Sequence, residues 1–255
     1  MKIVRFVYRG EASYGLLEGE DVYLLEHPGD IFGELRPGVK LANIGEVELL
    51  SPCQPTKIVA VGLNYADHAA EANVEVPTTP LIFLKPPSAV IGSGQPIVYP
   101  PFTKRLEYEG ELAVVMGRQA QRVKAAEALD YVLGYTCAND VTARDLQRQD
   151  SQWSRAKGSD TFAPLGPWVV TDLNVGHLAI TTRLNGQIKQ HSSTSSMVSG
   201  VSQIIEFIST FMTLEPGDVI ITGTPAGVGP MQPGDTVEVE IEGIGVLKNR
   251  VVSSH

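Results

Sequence analysis

Apolar and polar residues divide this chain into many short runs. IVRFVY (3–8), KIVAVG (57–62), LIFL (81–84), ELAVVM (111–116) and VLGYTC (132–137) are rich in β-branched or aromatic residues, so each predicts a strand. LAITTRLN (178–185), VIIT (219–222), TVEVEIEG (236–243) and VLKNRVV (246–252) continue the series. In TVEVEIE apolar and acidic residues alternate, as in a strand with one wet face. Asn185-Gly186, between two such runs, predicts a tight hairpin. Helical spacing is rarer. From Val201, apolar residues recur at Ile204, Ile205, Ile208, Phe211 and Met212, predicting a helix capped by Ser199 and stopped by Pro216-Gly217. Shorter helices are predicted over 65–73 and 141–150.

Strands this numerous with so few helices predict a mainly β chain with a few helices (α+β) and argue against a doubly wound βαβ fold. Residues 1–52 read as a small N-terminal β region, a meander ending near Ser51-Pro52, and 53–255 as one catalytic-sized unit. The Ser/Thr run at 192–196 reads as a mobile loop. GxGxxG, GxxxxGK[ST] and GxSxG are all absent, which removes the common nucleotide-binding and serine-hydrolase signatures.

Composition narrows the partners. The 255 residues carry 20 Lys+Arg against 29 Asp+Glu, a formal charge of −9, so no global charge favours nucleic acid or an anionic membrane. Cys53 and Cys137 cannot build a disulfide framework, and no Cys/His cluster suggests zinc. Arg5 and Arg9 interrupt the first apolar run, and no stretch approaches the roughly 18 apolar residues of a membrane span. A cytoplasmic protein is expected.

Candidate chemistry is densest in LEYEGELAVVMG (106–117). Glu107, Glu109 and Glu111 alternate, so an extended chain projects them from one face before the run enters apolar AVVM. Like charges on one face repel unless they lie in water or bind a cation; a solvated strand edge and a cation site both fit. In YTCANDVTARDLQRQ (135–149) a strand leads through a short turn into a helix, with Asn139 or Asp140 at the cap. Asp140, Arg144 and Gln147 would then share a helix face, although capping alone also accounts for Asp140. In LNYADHAAEANVEVP (63–77), one helical turn brings Glu71 to His68, which fixes the imidazole tautomer and raises its basicity, as a general base requires. Exposed HxxE pairs without such a role are common too. Two glutamates and an aspartate without His or Cys describe an all-oxygen site, suited to Mg²⁺, Mn²⁺ or Ca²⁺. Arg144, Gln147 and Lys157 (in RAKGSDTFAPLG) are available to an anionic ligand. Elsewhere the plain readings hold: Cys137 a core thiol, Trp168 a packing residue, and His27, His177 and His191 surface or loop groups; Trp153 reads as packing too, although its nearness to Lys157 leaves a substrate platform open. Gly223, Gly227 and Gly229 fit a turn or a backbone anion nest equally well.

YEGELAVVMG, ANDVTARDLQ, KGSDTFAPLGPW and TGTPAGVG, together with GLNYADHAAE and FLKPPSAVIG, closely resemble the fumarylacetoacetate hydrolase family from about residue 57 to 245. The resemblance implies a rolled mixed β-sheet fold behind the small N-terminal β region, a homodimer, and one Mg²⁺ or Mn²⁺ per subunit. By motif, the metal ligands would be Glu109, Glu111 and Asp140; Glu107 stands where relatives often carry Asp, outside that set. His68 and Glu71 match the water-activating catalytic dyad on a lid segment. Arg144, Gln147 and Lys157 match substrate-contacting positions, Lys157 with a catalytic electrostatic role, and Thr224 matches a substrate-binding threonine. The activity implied first is C–C bond hydrolysis in an acylpyruvate or related 2,4-dioxo acid. The same site would serve isomerisation of 2-hydroxyhepta-2,4-diene-1,7-dioate, or decarboxylation or tautomerisation of oxaloacetate. A non-catalytic ligand-binding scaffold is disfavoured by the full set of site residues. The expected partner is a small 2-oxo acid, not nucleic acid or membrane.

Overall fold

The computed structural model describes residues 1–27 and 29–254; His255 lies outside the described residues. The apolar runs form strands close to where the pattern puts them, and the chain is mainly β with mixed sheets. One sheet runs in the order Pro37–Asn43, Asp21–Leu25, Glu11–Glu18, Lys2–Tyr8, Ala163–Val170, Val132–Asn139, Gly110–Met116, Val219–Ile221, Ile58–Gly62, Leu81–Lys85. The N-terminal meander continues this sheet, because Lys2 and Ile3 pair antiparallel with Val170 and Val169. A five-stranded sheet, Gln187–Ser193, Ala179–Leu184, Thr236–Ile241, Gly245–Ser253 and Ile97–Tyr99, packs against its centre. Thr142–Ala143, Leu106–Tyr108 and Gly229–Met231 make a third, small sheet.

The strand Gly110–Met116 shows why AVVM does not alternate. Leu112, Val114 and Met116 face a core with Ile180, Val239 and the helix residues Ile204, Ile205 and Ile208. Ala113 and Val115 face the opposite core with Ile58, Ala60 and Ile221. A strand buried on both faces reads as a continuous apolar run. Gly110 has its own reason: a Cβ there would lie 2.0 Å from Thr182 Oγ1, so only glycine lets the two sheets meet at this point. The hairpin at Asn185-Gly186 forms as expected, with φ of +53° and +77° at its two residues.

Three local expectations are corrected. The helix Val201–Ser209 starts from Gly200, whose N–H is met by Gln203 Oε1 at 2.9 Å, and it ends well before Pro216. Residues 192–196 are the end of a strand and a 3₁₀ turn, not a mobile loop, because Thr194 is buried and its hydroxyl accepts the Leu178 N–H at 2.8 Å. The helix after Asp140 spans only Arg144–Gln149, because Thr142–Ala143 is held extended by pairing with Leu106 and Glu107. Asp140 therefore caps nothing. Both cysteines are core residues, and burial pushes each thiol up to about 12. Among the described residues no helix is long and apolar enough to cross a membrane.

Candidate active site

The strand pair Gly110–Met116 and Val132–Asn139 ends where the small sheet begins, and this seam carries the acids. Gly110 pairs with Asn139, Asn139 Oδ1 accepts the Glu109 N–H at 2.9 Å, and the Asp140 N–H donates to Glu109 O at 2.8 Å. These bonds set Glu109, Glu111 and Asp140 side by side, each with a carboxylate oxygen within 4.8 Å of the others. Glu107, Glu109 and Glu111 are only 1%, 4% and 2% exposed, which overturns the solvated-edge reading. The chain breaks from strand geometry at Glu109, so the three converge on a cavity rather than line a flat face.

Buried carboxylates at this density need compensation. Lys157 Nζ lies 2.7 Å from Glu109 Oε2 and 2.5 Å from Asp140 Oδ2. Lys85, fully buried, bonds to the other Asp140 oxygen. Arg144 bonds to Glu109 and Gln147 and lies 2.5 Å from Glu107 Oε2, while Arg105 holds the second Glu107 oxygen. Burial alone would push the Glu109 carboxyl up, but Lys157, Arg144 and His68 outweigh it and hold the group well below its usual range. Glu111 goes the other way. Burial and its neighbours Asp140 and Glu109 drive its carboxyl well up, against the Gly223 N–H at 2.6 Å. That bond reaches only one Glu111 oxygen, and the other accepts no hydrogen bond among the described residues. An all-oxygen set with one acid short of positive charge fits a hard divalent cation such as Mg²⁺ or Mn²⁺.

A second group faces the same cavity. The short helix Ala66–Glu71 brings His68 Nδ1 to 3.3 Å from Glu71 Oε2 and stops where Asn73 turns left-handed at φ +56°. His68 is 8% exposed. The segment is tied down at both ends. Asn64 exchanges hydrogen bonds with the Ser199 backbone and donates to Thr222 O, while Glu71 accepts the Gly227 N–H at 3.1 and 3.2 Å. A Cβ on Gly227 would lie 2.1 Å from Lys189 O, so only glycine can offer its N–H here. The glycine loop thus does present backbone N–H groups to anions, namely the carboxylates of Glu111 and Glu71.

The cavity, about 420 Å³, is lined by all nine residues expected at the metal, catalytic and substrate positions: His68, Glu71, Glu109, Glu111, Asp140, Arg144, Gln147, Lys157 and Thr224. Thr224 is held back by its own bonds, its hydroxyl donating to Gly110 O at 2.9 Å and accepting from Gln190 Nε2 at 2.7 Å. Trp153 is more than packing. It meets Phe83 edge-on at 5.2 Å, and both form the cavity wall. Sequence reasoning missed Lys85, whose only signal is a charge closing the apolar strand LIFLK, and it missed Arg148 and Arg105 on the wall.

A β-rich fold with a buried, cation-ready carboxylate cluster facing an imidazole–carboxylate pair defines a candidate metal-dependent enzyme. Residues 57–252 match the family described as fumarylacetoacetate (FAA) hydrolase C-terminal, and residues 1–52 match Rv2993c-like, N-terminal; the chain belongs to the fumarylacetoacetate hydrolase family. Protein Rv2993c of Mycobacterium tuberculosis is 53% identical over 232 residues, 90% of this chain and 86% of that one. The mitochondrial oxaloacetate tautomerase Fahd2a of Rattus norvegicus is 44% identical over 219 residues, 81% of this chain and 70% of that one. The crystal structure of 5-carboxymethyl-2-hydroxymuconate delta-isomerase from Mycobacterium smegmatis is 44% identical and covers 100% of both chains, with a TM-score of 0.93.

Proposed function

We infer that this protein moves a proton at the carbon beside the keto group of a small 2-oxo acid, as a divalent-cation-dependent tautomerase or isomerase. One observation carries this reading: His68–Glu71 and Glu109/Glu111/Asp140 line a single cavity. The tautomerase and isomerase names of relatives at 44% identity support it. Mg²⁺ or Mn²⁺, held by Glu109, Glu111 and Asp140, would supply a Lewis acid for negative charge developing on a keto oxygen. Glu71 holds Nδ1 of His68, leaving Nε2 to carry the proton between the enol oxygen and the adjacent carbon. Lys157, Arg144 and Gln147 supply positive charge and donors to the carboxylate end. The homodimer implied by the family resemblance belongs to the same reading.

Hydrolysis of acylpyruvates is the second reading. The apolar wall of Val61, Phe83, Trp153 and Val228 favours it, since such a wall suits an acyl tail. One experiment separates the two. The Mn²⁺-loaded protein is given oxaloacetate and, separately, acetylpyruvate, and enol absorbance and pyruvate are followed with and without excess EDTA. Metal-dependent ketonisation of oxaloacetate without pyruvate release from acetylpyruvate is expected. Stoichiometric pyruvate from acetylpyruvate would move the assignment to the hydrolase, and inertness toward both would overturn the 2-oxo acid reading.

A further inference from the structure

Of the cationic side chains on the cavity wall, one has nothing to hold. Arg144 is engaged by Glu107, Glu109 and Gln147, Arg105 by Glu107, and Lys157 by Glu109 and Asp140. The Arg148 side chain has neither a hydrogen bond nor an ion pair among the described residues, yet it lines the same cavity. The acids beside it on the chain are committed elsewhere. Asp145 accepts from Thr103 Oγ1 and, at 2.9 Å, from Lys104 N, and Asp150 takes Arg155 through two bonds of 2.6 and 2.8 Å. Arg144 and Arg148 are four apart on the helix Arg144–Gln149, so their side chains start about 6 Å from one another on one face. Arg144 reaches the carboxylate cluster; Arg148 is exposed, one turn further out.

Charge balance points to what Arg148 would meet. The wall carries five carboxylates (Glu71, Glu107, Glu109, Glu111 and Asp140) against four cationic side chains, and Lys85 behind Asp140 makes a fifth cation. A divalent ion in the cluster would leave the site with two positive charges in excess. A monocarboxylate offsets one of them and a dicarboxylate offsets both. A planar guanidinium is also the side chain best shaped to take a carboxylate through two parallel bonds.

We propose that Arg148 reads a second carboxylate at the far end of the substrate, so that the site selects dicarboxylic 2-oxo acids over those with neutral tails. This rests on the 2-oxo acid reading above and adds the residue that sets the substrate class. It is tested by binding. L-malate and L-lactate share a 2-hydroxy acid head and differ in the distal carboxylate, and their affinities for the Mn²⁺-loaded protein are measured by calorimetry. Wild type binds malate 10- to 100-fold more tightly than lactate, the range of a hydrogen-bonded charged pair. Arg148→Gln removes that preference by weakening malate alone, and Arg148→Lys restores part of it. In turnover, the ratio of kcat/KM for ketonisation of oxaloacetate over ketonisation of acetylpyruvate falls at least about tenfold in Arg148→Gln, through KM for oxaloacetate. An unchanged malate-to-lactate ratio in Arg148→Gln overturns the proposal. So does a changed sedimentation coefficient with that ratio retained, which would assign Arg148 to a subunit contact. Wild-type protein that binds neither acid and ketonises neither oxaloacetate nor acetylpyruvate refutes the underlying 2-oxo acid reading, a result distinct from either.

Discussion

Two regions face each other across the cavity, and they are held by different means. Glu109, Glu111 and Asp140 stand at the ends of paired strands in the middle of the large sheet, with both cores packed behind them. The backbone around them is bonded into ladders, into the seam around Asn139, and to the buried side chains of Gln190 and Thr224. His68 and Glu71 ride a six-residue helix between Ile58–Gly62 and the edge strand Leu81–Lys85. A helix of that length has little stability of its own; it is tied by side chain–backbone bonds through Asn64 and Glu71 and by a backbone bond from Val198 N–H to Asn64 O at 2.8 Å. The proposed cation end of the site is therefore set by the sheet, whereas the proposed proton-moving end rests on a latch made at Asn64 and Gly227. Glu71 does both jobs there, orienting His68 and binding Gly227.

The sharpest way to break this contrast is on the latch side. His68→Ala should lower turnover by at least about 10² while leaving Mn²⁺ affinity within about twofold, because no backbone near the acids depends on the imidazole. Steady-state kinetics beside calorimetric Mn²⁺ titration measures both. A parallel loss of metal affinity would mean that the two regions are one unit and that the contrast is wrong.

Lys85→Met probes the other side with a smaller expected effect. Lys85 holds the Asp140 oxygen that Lys157 does not, so it acts as a positioning residue for the cluster. Partners that orient metal ligands are typically worth 10- to 100-fold in affinity, and Mn²⁺ binding should weaken by that factor. Direct titration checks it. An unchanged affinity with a lowered melting temperature would assign Lys85 to stability of the sheet edge alone.

The same contrast governs what could be read along the chain. The hairpin at Asn185-Gly186 is a two-residue event with its own backbone demand, and it was legible. So were the strands, since alternation and apolar runs report which faces are buried. Strand neighbours were not. Nothing in KIVRFVY says that it pairs with a strand more than 150 residues away, because periodicity sets a face and not a partner. In the site, Glu109, Glu111 and Asp140 were grouped correctly on a wrong geometry. The sequence pattern offers Asn139 or Asp140 as a helix cap, whereas what brings the acids together is the strand seam through Asn139. Lys85 was invisible because a lysine closing LIFLK looks like an ordinary strand end, and its burial depends on Asp140, 55 residues on. Long-range charge pairing leaves no local mark.

The smallest expected effect on the site, and the one that tests how the latch region is rooted, comes from Asp218. Its buried carboxylate accepts from Thr56 N and Oγ1, Lys57 N and Glu215 N, and it pairs with the Lys57 ammonium. Those bonds clamp Val219–Ile221 to the start of Ile58–Gly62, the strand that leads into the His68 helix. Burial would raise the Asp218 carboxyl, but the bonds from Lys57, Glu215 and Thr56 outweigh it and hold it below the ordinary value of 3.8. A carboxyl depressed in the folded state stabilises that state above its unfolded pKa and loses the contribution as pH falls through the folded value. Asp218→Asn should therefore cost about 2 kcal/mol at pH 7, and the deficit should shrink as pH is lowered below about 4. Urea unfolding across that range measures it. Turnover per folded molecule should stay within about twofold, because the clamp sits on the sheet and not on the latch; a larger loss would show that the sheet sets the position of His68 directly.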